Sequence, residues 1–253
     1  MIISTTKMEE FIEYCKDGNL ELAKNLLLEN PTIDISTGNE FAFRFACMNG
    51  HIEVAKWLLE IKPNINVSIC NEIAFRFACQ NGHIEVAKWL FEIKPNINIS
   101  TGNDFFFCLA CQNGHIEVAK WLLEIKSNIN ISACNEYAFR YACENGHLEV
   151  AKWLLEIKPN INISAGNDGA FRYACTRKNM EIAKWLQSLK PYLYIIYYND
   201  NNTYKYYYIR TEKEERFQRR KYALWLASNI SPNQETLLYK VSSDISRHII
   251  SFI

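Results

Sequence analysis

Histidine and cysteine side chains recur along this chain at intervals that could serve metal or acid–base chemistry. Histidines stand 32 residues apart, from 51 to 83, 83 to 115 and 115 to 147. An imidazole binds zinc at about 2.1 Å, whereas packed helices lie about 10 Å apart. Histidines that occur once per repeat cannot therefore share one ion, and we predict that they form hydrogen bonds between helices.

The nine cysteines follow the same spacing. Six of them share one position of the repeat: Cys15, Cys47, Cys79, Cys111, Cys143 and Cys175. A small, buried, reduced side chain explains this column. Cys108 and Cys111 form one C-x-x-C pair, but no second pair or histidine follows at ligand spacing. No phosphate loop or nucleophile elbow is visible, so we expect no metal, no cofactor and no enzyme activity.

The elements that carry these residues form a repeat. Each Gly-His is followed by (I/L)-E-V-A-K-W-L, and the same step reaches Gly18-Asn19 and Lys178-Asn179, which gives six copies with degenerate ends. In one copy the apolar spacing predicts a helix A over 72–80 and a helix B over 84–93, with an extended loop and a turn up to residue 103. Thr6 and Glu9 form a capping box that predicts a first helix over 8–16.

The repeat resembles the ankyrin repeat in Ala46-Cys47-Met48-Asn49-Gly50-His51 and in the Val54–Leu59 stretch, although its usual T-P-L-H opening is replaced here by Phe41-Ala42-Phe43-Arg44. The resemblance covers about residues 8–190. It implies an all-α solenoid of stacked helix-turn-helix units with hairpin loops, plus a small C-terminal module. The predicted domains are an N-terminal capping repeat (1–38), four full repeats (39–166), a degenerate C-terminal repeat (167–190) and a Tyr-rich hairpin with helices (191–253).

Proteins of the ankyrin family bind partner proteins with the hairpin tips and the exposed side of helix A, which implies a partner on the concave face. The copies differ from one another there. The predicted partner-binding residues are Ile69, Glu72, Gln80, Thr101, Asp104, Phe105, Phe106, Gln112, Glu136, Tyr137 and Glu144. Drift under weak constraint would produce the same differences, so a purely structural or passive interaction protein is the alternative.

An acidic residue precedes an arginine by four positions in most copies, as Glu40 precedes Arg44. This spacing predicts solvent-exposed ion pairs worth about 0.3–0.5 kcal/mol. In the third full copy Cys108 replaces the arginine and Phe106 replaces an alanine. We therefore expect an exposed apolar patch with an unpaired Asp104 in mid-array, and we expect the tryptophan column to pack between repeats.

The C-terminal residues differ in composition. Two tyrosine-rich strands are predicted around the polar turn at 199–202, followed by a helix over 212–228. The segment 241–253 places Ile245, Ile249 and Phe252 on one helical face and resembles the F-box-like segments of poxvirus-type ankyrin proteins. That resemblance implies recruitment of a Skp-type ubiquitin-ligase adaptor. A helix that simply closes the module is the other interpretation.

The overall composition limits the partners. Lys plus Arg equals Asp plus Glu at 28 each, so no excess charge attracts nucleic acid. No apolar run approaches the roughly 20 residues of a membrane span, and the N-terminus does not resemble a signal peptide. We expect an intracellular, cytoplasmic protein. The abundance of Asn, Ile, Lys and Tyr is similar to ankyrin arrays of large amoeba-infecting viruses, which implies a host-cell setting.

Overall fold

The computed structural model describes residues 2–99, 101–191, 194–198 and 204–208. The chain divides into two compact parts, residues 1–173 and residues 174–253. Within the described residues, the repeats are built from paired helices, as the sequence predicts. The first helix of each pair is helix A: α1 (Ile2–Lys16), α3 (Thr37–Met48), α5 (Ile69–Gln80), α7 (Thr101–Gln112), α9 (Ala133–Glu144) and α11 (Ala165–Thr176). The second is helix B: α2 (Leu20–Glu29), α4 (Ile52–Ile61), α6 (Ile84–Ile93), α8 (Ile116–Ile125), α10 (Leu148–Ile157) and α12 (Met180–Leu189).

Two predicted local features are wrong. Helix α1 already includes Ile2, so Thr6 lies inside the helix and the proposed capping box is not at its start. The stretch after helix B is not extended, because it folds into successive turns. In one copy the Ile97 amide donates to the Lys94 carbonyl at 3.2 Å, and the Ile97 side chain is buried.

In the first part, the A helices from α1 to α9 contact one another in sequence order, and each of them contacts its own helix B. In the second part, β1 (Tyr194–Tyr198) pairs antiparallel with β2 (Tyr204–Tyr208), with Ile196 opposite Tyr206, and α12 contacts β1. These strands occupy the positions where the sequence predicts a hairpin. The predicted helices at 212–228 and 241–253 lie outside the described residues.

Aromatic pairs form the core between successive repeats. A phenylalanine of helix A packs against the tryptophan on helix B of the following repeat. The ring centroids are 6.2 Å apart for Phe11–Trp57 and 6.1 Å apart for Phe75–Trp121. Two further pairs, Phe43–Trp89 and Phe107–Trp153, repeat this tilted geometry. The predicted inter-repeat packing of these tryptophans is confirmed, and aromatic burial of this kind is the largest apolar contribution that such a layer can make.

The cysteine column lies in the same core. All six of its thiols are buried and free, as the sequence predicts. Burial raises the pKa of Cys15 to about 12, so the thiol stays protonated and packs as a small apolar group.

Hydrogen bonds across the repeats cap the ends of the A helices. The last carbonyls of a helix have no partner within the helix. The Met48 carbonyl accepts a hydrogen bond from Asn81 Nδ2 at 2.8 Å and another from the His83 ring. The Gln112 carbonyl accepts the equivalent bonds from Asn145 and His147. The predicted structural role of the histidines is therefore confirmed.

The glycine before each histidine makes this contact possible. Gly50 has φ +83°, a conformation that side chains disfavour, and a Cβ added there would lie 2.6 Å from His83 Nδ1. Glycine is thus required both for the backbone conformation and for the approach of the next repeat.

A comparison of Gly50→Ala with Gly102→Ala separates the requirement for the backbone conformation from the requirement for space beside the next repeat. Gly102 also has a positive φ, +65°, but its added Cβ would meet only Phe105 Cβ, at 3.5 Å. We expect Gly102→Ala to lower the free energy of unfolding by about 1 kcal/mol through backbone strain. Gly50→Ala should lower it by at least about 1 kcal/mol more, because the His83 hydrogen bond is displaced. Urea denaturation measures both, and equal losses would contradict the proposed contact.

The histidines that bond across the repeats, which we call the histidine ladder, also predict that stability depends on pH. Burial lowers the pKa of His83, His115 and His147, and their bonds to carbonyls oppose this shift only in part. The unfolded chain then binds more protons than the folded chain between the folded and unfolded pKa values, so stability falls as the pH drops through about 6.5.

We therefore expect the melting temperature to fall between about pH 7.5 and pH 5.5, above the range in which carboxylates titrate. His115→Asn, which introduces the residue found at Asn179 in the last repeat, should weaken this dependence. A melting temperature that rises on acidification, or a variant with an unchanged slope, would show that the ladder is not responsible.

Candidate protein-binding face

A left-handed turn opens helix A. In the first full repeat Gly38, Asn39 and Glu40 have φ values of 64°, 58° and 60°, and the equivalent residues 134–136 and 166–168 repeat this conformation. Non-glycine residues in this region cost about 1–2 kcal/mol each. The right-handed part of helix A consequently begins only after the acidic residue.

The acidic residue of this turn supports the hairpin of the next repeat. Asp104 Oδ2 accepts a hydrogen bond from the Asn130 amide at 2.9 Å, and Glu136 Oε1 accepts one from the Asn162 amide at 3.2 Å. A lysine that follows helix B lies nearby, with Lys126 Nζ 3.8 Å from Asp104 Oδ1. Glu72 has the same relation to Lys94, also at 3.8 Å.

The predicted exposed acid–arginine pairs are therefore wrong. Glu40 and Glu136 are buried, because their positive φ turns them away from the path of the helix that follows. Arg140 instead donates to the Asn135 carbonyl at 2.8 Å and to the Cys134 carbonyl at 3.3 Å. Arg44 donates to the Gly38 carbonyl at 3.2 Å.

The arginines also lie against aromatic rings on the exposed side of helix A. The guanidinium carbon of Arg44 is 4.6 Å from the Phe41 ring centroid, and that of Arg76 is 4.8 Å from the Phe77 centroid. Arg140 over Tyr141 and Arg172 over Tyr173 repeat the arrangement at 5.5 and 5.7 Å. We call this surface the helix-A face. It consists of the four positions that follow the acid by one, four, five and eight residues, such as Phe41, Arg44, Phe45 and Met48.

A groove of about 160 Å³ opens on the helix-A face between α3 and α5. Its walls are formed by Phe41, Arg44, Phe45, Met48, Ile73 and Phe77. Phe41 is 39% exposed and the other five are half-buried, so apolar side chains remain accessible here. Aromatic side chains, Met and Arg are the types enriched in protein–protein interfaces.

The predicted mid-array patch is not exposed. Phe106 is only 2% exposed, because its ring packs edge-on against Phe75 of the preceding repeat at a centroid distance of 5.2 Å. Asp104 is buried and has the partners given above. Cys108 is also buried, which raises its pKa to about 12. The expectation of an apolar anchor with an unpaired acid is therefore wrong.

The other predicted partner-binding residues differ widely in solvent exposure. Phe105 is 36% exposed, whereas Ile69, Glu72, Gln80 and Glu144 are half-buried and Glu136 is buried. Tyr137 is half-buried and donates to Gln112 Oε1 at 2.7 Å. The side chain of Thr101 lies outside the described residues.

Sequence reasoning missed the groove residues because it compared single positions between copies. The signal was available in the spacing, since residues one, four, five and eight places after the acid fall on one side of a helix. Applied to two adjacent copies, this rule brings Phe41, Phe45 and Met48 next to Ile73 and Phe77.

In the part of the chain that the structure describes, no three histidine, cysteine or acidic side chains are grouped to hold a metal ion. Over those same ranges, every helix is too short or too polar to cross a membrane.

Repeated A–B helix pairs that contact their sequence neighbours define a helical repeat protein. A family model described as ankyrin repeats (3 copies) matches residues 11–101 and 107–194, well over half of the chain. The chain belongs to the ankyrin-repeat family. Ankyrin repeats generally mediate protein–protein interaction and are typically not enzymes.

Two solved structures are similar. The human ASB11 ankyrin repeat domain aligns with a TM-score of 0.52 and 21% identity over 76% of this chain and 88% of that chain. An ankyrin repeat family protein from Legionella pneumophila gives a TM-score of 0.43 and 21% identity over 72% of this chain and 71% of that chain. No curated protein matches the sequence.

In the first full repeat, the lysine that follows helix B contacts a different acid from that contacted by Lys94 and Lys126, which leads to a prediction. Lys62 Nζ lies 3.4 Å from the exposed Asp34, where the later repeats have asparagine. Among the described residues, Glu40 Oε2 is buried without a hydrogen-bond partner. Asp34→Asn should release Lys62 toward Glu40 and raise the free energy of unfolding by about 0.5–1 kcal/mol.

Asn66 shows that asparagine can hold the turn, because its Oδ1 accepts from the Ser68 amide at 3.1 Å as Asp34 Oδ1 does from Ser36. The control is Asp34→Asn combined with Glu40→Gln, which should abolish the gain. A gain that persists in the double variant, or a loss in the single one, would refute this explanation of the first repeat.

Proposed function

We propose that this protein is a non-enzymatic interaction scaffold that holds a partner protein on its helix-A face, with the groove between α3 and α5 as the principal contact. The observation that supports this most directly is the accessibility of Phe41, Phe45, Met48, Ile73 and Phe77 around one groove. Burial of apolar surface favours association, and a few buried aromatic residues often carry most of the binding energy.

The exposed surface of helix B is a poorer candidate. Its charged residues pair with one another along the helix, as Lys120 does with Glu117 at 3.2 Å and Lys152 with Glu149 at 2.9 Å. Such exposed pairs are well solvated and contribute at most about 1 kcal/mol. Helix B is also nearly constant between copies, whereas the helix-A face changes from one repeat to the next, as expected of a surface fitted to a particular partner.

The alternative is a passive or purely structural protein, in which the helix-A face differs between repeats only because little constrains it. This alternative expects no partner whose binding depends on that face. A comparison of two equally exposed apolar residues distinguishes the two proposals.

Phe41→Ser and Ile61→Ser provide this comparison. Phe41 is 39% exposed on the helix-A face, and Ile61 is 42% exposed at the end of helix B. Each full-length variant would be used to purify partners from cells, with quantitative mass spectrometry and a melting curve as a folding control. We expect Phe41→Ser to weaken capture of a specific partner by about tenfold or more and Ile61→Ser to leave it unchanged. Equal effects of the two variants would contradict the proposed face.

A finer proposal concerns the C-terminal residues. We propose that Ile245, Ile249 and Phe252 dock a Skp-type ubiquitin-ligase adaptor, which would make the protein a substrate receptor acting in the cytoplasm, of the host cell if the chain is viral. The apolar spacing of these residues and their resemblance to F-box-like segments support this proposal. The other possibility is a helix that only closes the C-terminal module.

The full chain carrying Ile245→Asp and Ile249→Asp tests this adaptor proposal. We expect Skp-type and cullin subunits to co-purify with the unaltered chain and with Phe41→Ser, but not with the aspartate variant. If these subunits are absent from the unaltered chain, or are retained by the aspartate variant, the ligase proposal fails while the partner-binding proposal stands.

A further inference from the structure

We infer that the partner presents a large apolar side chain close to an aspartate or glutamate, the apolar side chain entering the groove between α3 and α5 and the carboxylate pairing with Arg44. This inference rests on the proposed function and adds the chemistry of the ligand. It depends on two observations: the state of Arg44 and the size of the groove that it lines.

The first observation is that Arg44 has an unused donor. Within the described residues, Nε of Arg44 is buried and has no hydrogen-bond acceptor, and the same holds for Nε of Arg76 in the next repeat. Arg140, three repeats after Arg44, uses its Nε to bind the Asn135 carbonyl. Buried donors are nearly always satisfied, and one left without an acceptor costs about 1–3 kcal/mol. The orphaned donors occur in the two repeats that form the groove.

Arg44 is placed so that an acceptor bound at the groove could reach it. Arg44 lines the groove, with its guanidinium carbon 4.6 Å from the centroid of the Phe41 ring. A carboxylate matches the planar fork of a guanidinium with two parallel hydrogen bonds. A rotation of Arg44 away from this ring would therefore replace an orphaned donor with a charged pair.

The second observation is that the groove has room for one side chain. Its volume of about 160 Å³ is close to that of a cavity of about 150 Å³ known to hold a benzene ring. Its other walls are aromatic or aliphatic. A leucine, methionine or phenylalanine of the partner fits this volume and its apolar lining.

The local charges also favour an acidic partner. The two carboxylates in these repeats that lie nearest in sequence do not line the groove. Glu40 is 7% exposed, and Glu72 accepts a hydrogen bond from Ser68 and lies 3.8 Å from Lys94. Of the residues that line the groove, Arg44 therefore supplies the charge.

A nucleic acid could in principle use arginines and aromatic rings as well. Single-stranded nucleic acid needs a continuous cationic groove along its backbone. Here the next helix A carries Cys108 in place of arginine, and the chain has no excess of basic residues. The observations therefore favour a protein carboxylate.

A phage-displayed library of random peptides, selected against the full chain, tests this inference. We expect the enriched peptides to contain a large apolar residue within a few positions of aspartate or glutamate. Synthetic copies should bind Arg44→Gln about tenfold more weakly, and the loss should shrink at high salt. Lys56→Gln is the control, because Lys56 is an exposed cation on helix B that pairs with Glu53 at 3.4 Å, and it should leave binding unchanged. Melting curves establish that each variant is folded.

The outcomes separate the two proposals. Enriched peptides that lose affinity in Phe41→Ser but lack acidic residues would overturn this inference and leave the proposed face intact. Peptides that are insensitive to Phe41→Ser would overturn both. Equal losses in Arg44→Gln and Lys56→Gln would show a diffuse charge effect and also overturn it. A fluorescent single-stranded oligonucleotide that binds the full chain and is released by Arg44→Gln would assign the site to nucleic acid instead.

Discussion

The fold depends on how each repeat completes the hydrogen bonding of the one before it. A helix end leaves carbonyls without partners, and here the asparagine and histidine of the following repeat supply the missing donors. The Met48 carbonyl receives both Asn81 and His83, an approach that is open only because Gly50 has no side chain. The phenylalanine–tryptophan contacts bury the apolar surface at the same junction. Stability is then a sum of neighbour terms, as in other repeat arrays.

Because these contacts hold successive repeats together, the helix-A face is available for a partner. The acidic residue and the lysine that follows helix B hold the hairpin, and the arginine satisfies carbonyls of the left-handed turn, as Arg140 does. The bonds that cap helix A go to its backbone carbonyls, as at Met48 and Gln112, whichever side chains lie on its outer side. These side chains can differ between repeats at little cost, and in the first two full repeats they form a groove that combines apolar rings with cationic donors.

Much of the fold could be predicted from the sequence, but the site could not. The interval between histidines and the apolar spacing gave the helix pairs, the buried cysteines and the packing role of the tryptophans. The acidic column was misjudged, because spacing alone assumes a continuous right-handed helix and cannot show that Glu40 and Glu136 have positive φ. Phe106 was taken as exposed for a related reason: whether an extra ring projects outward or fills a gap depends on the neighbouring repeat, here Phe75. The groove is likewise a property of two adjacent repeats.

Hydroxyl-radical footprinting of the full chain, alone and with its captured partner, tests the central claim most directly, because the radical oxidises accessible aromatic, sulfur-containing and aliphatic side chains. We predict that oxidation of Phe41, Phe45, Met48 and Phe77 falls when the partner binds, while Leu28, which is 80% exposed away from the groove, is oxidised as before. Unchanged oxidation of the four groove residues, with protection elsewhere on the chain, would contradict the assignment of the helix-A face as the binding surface.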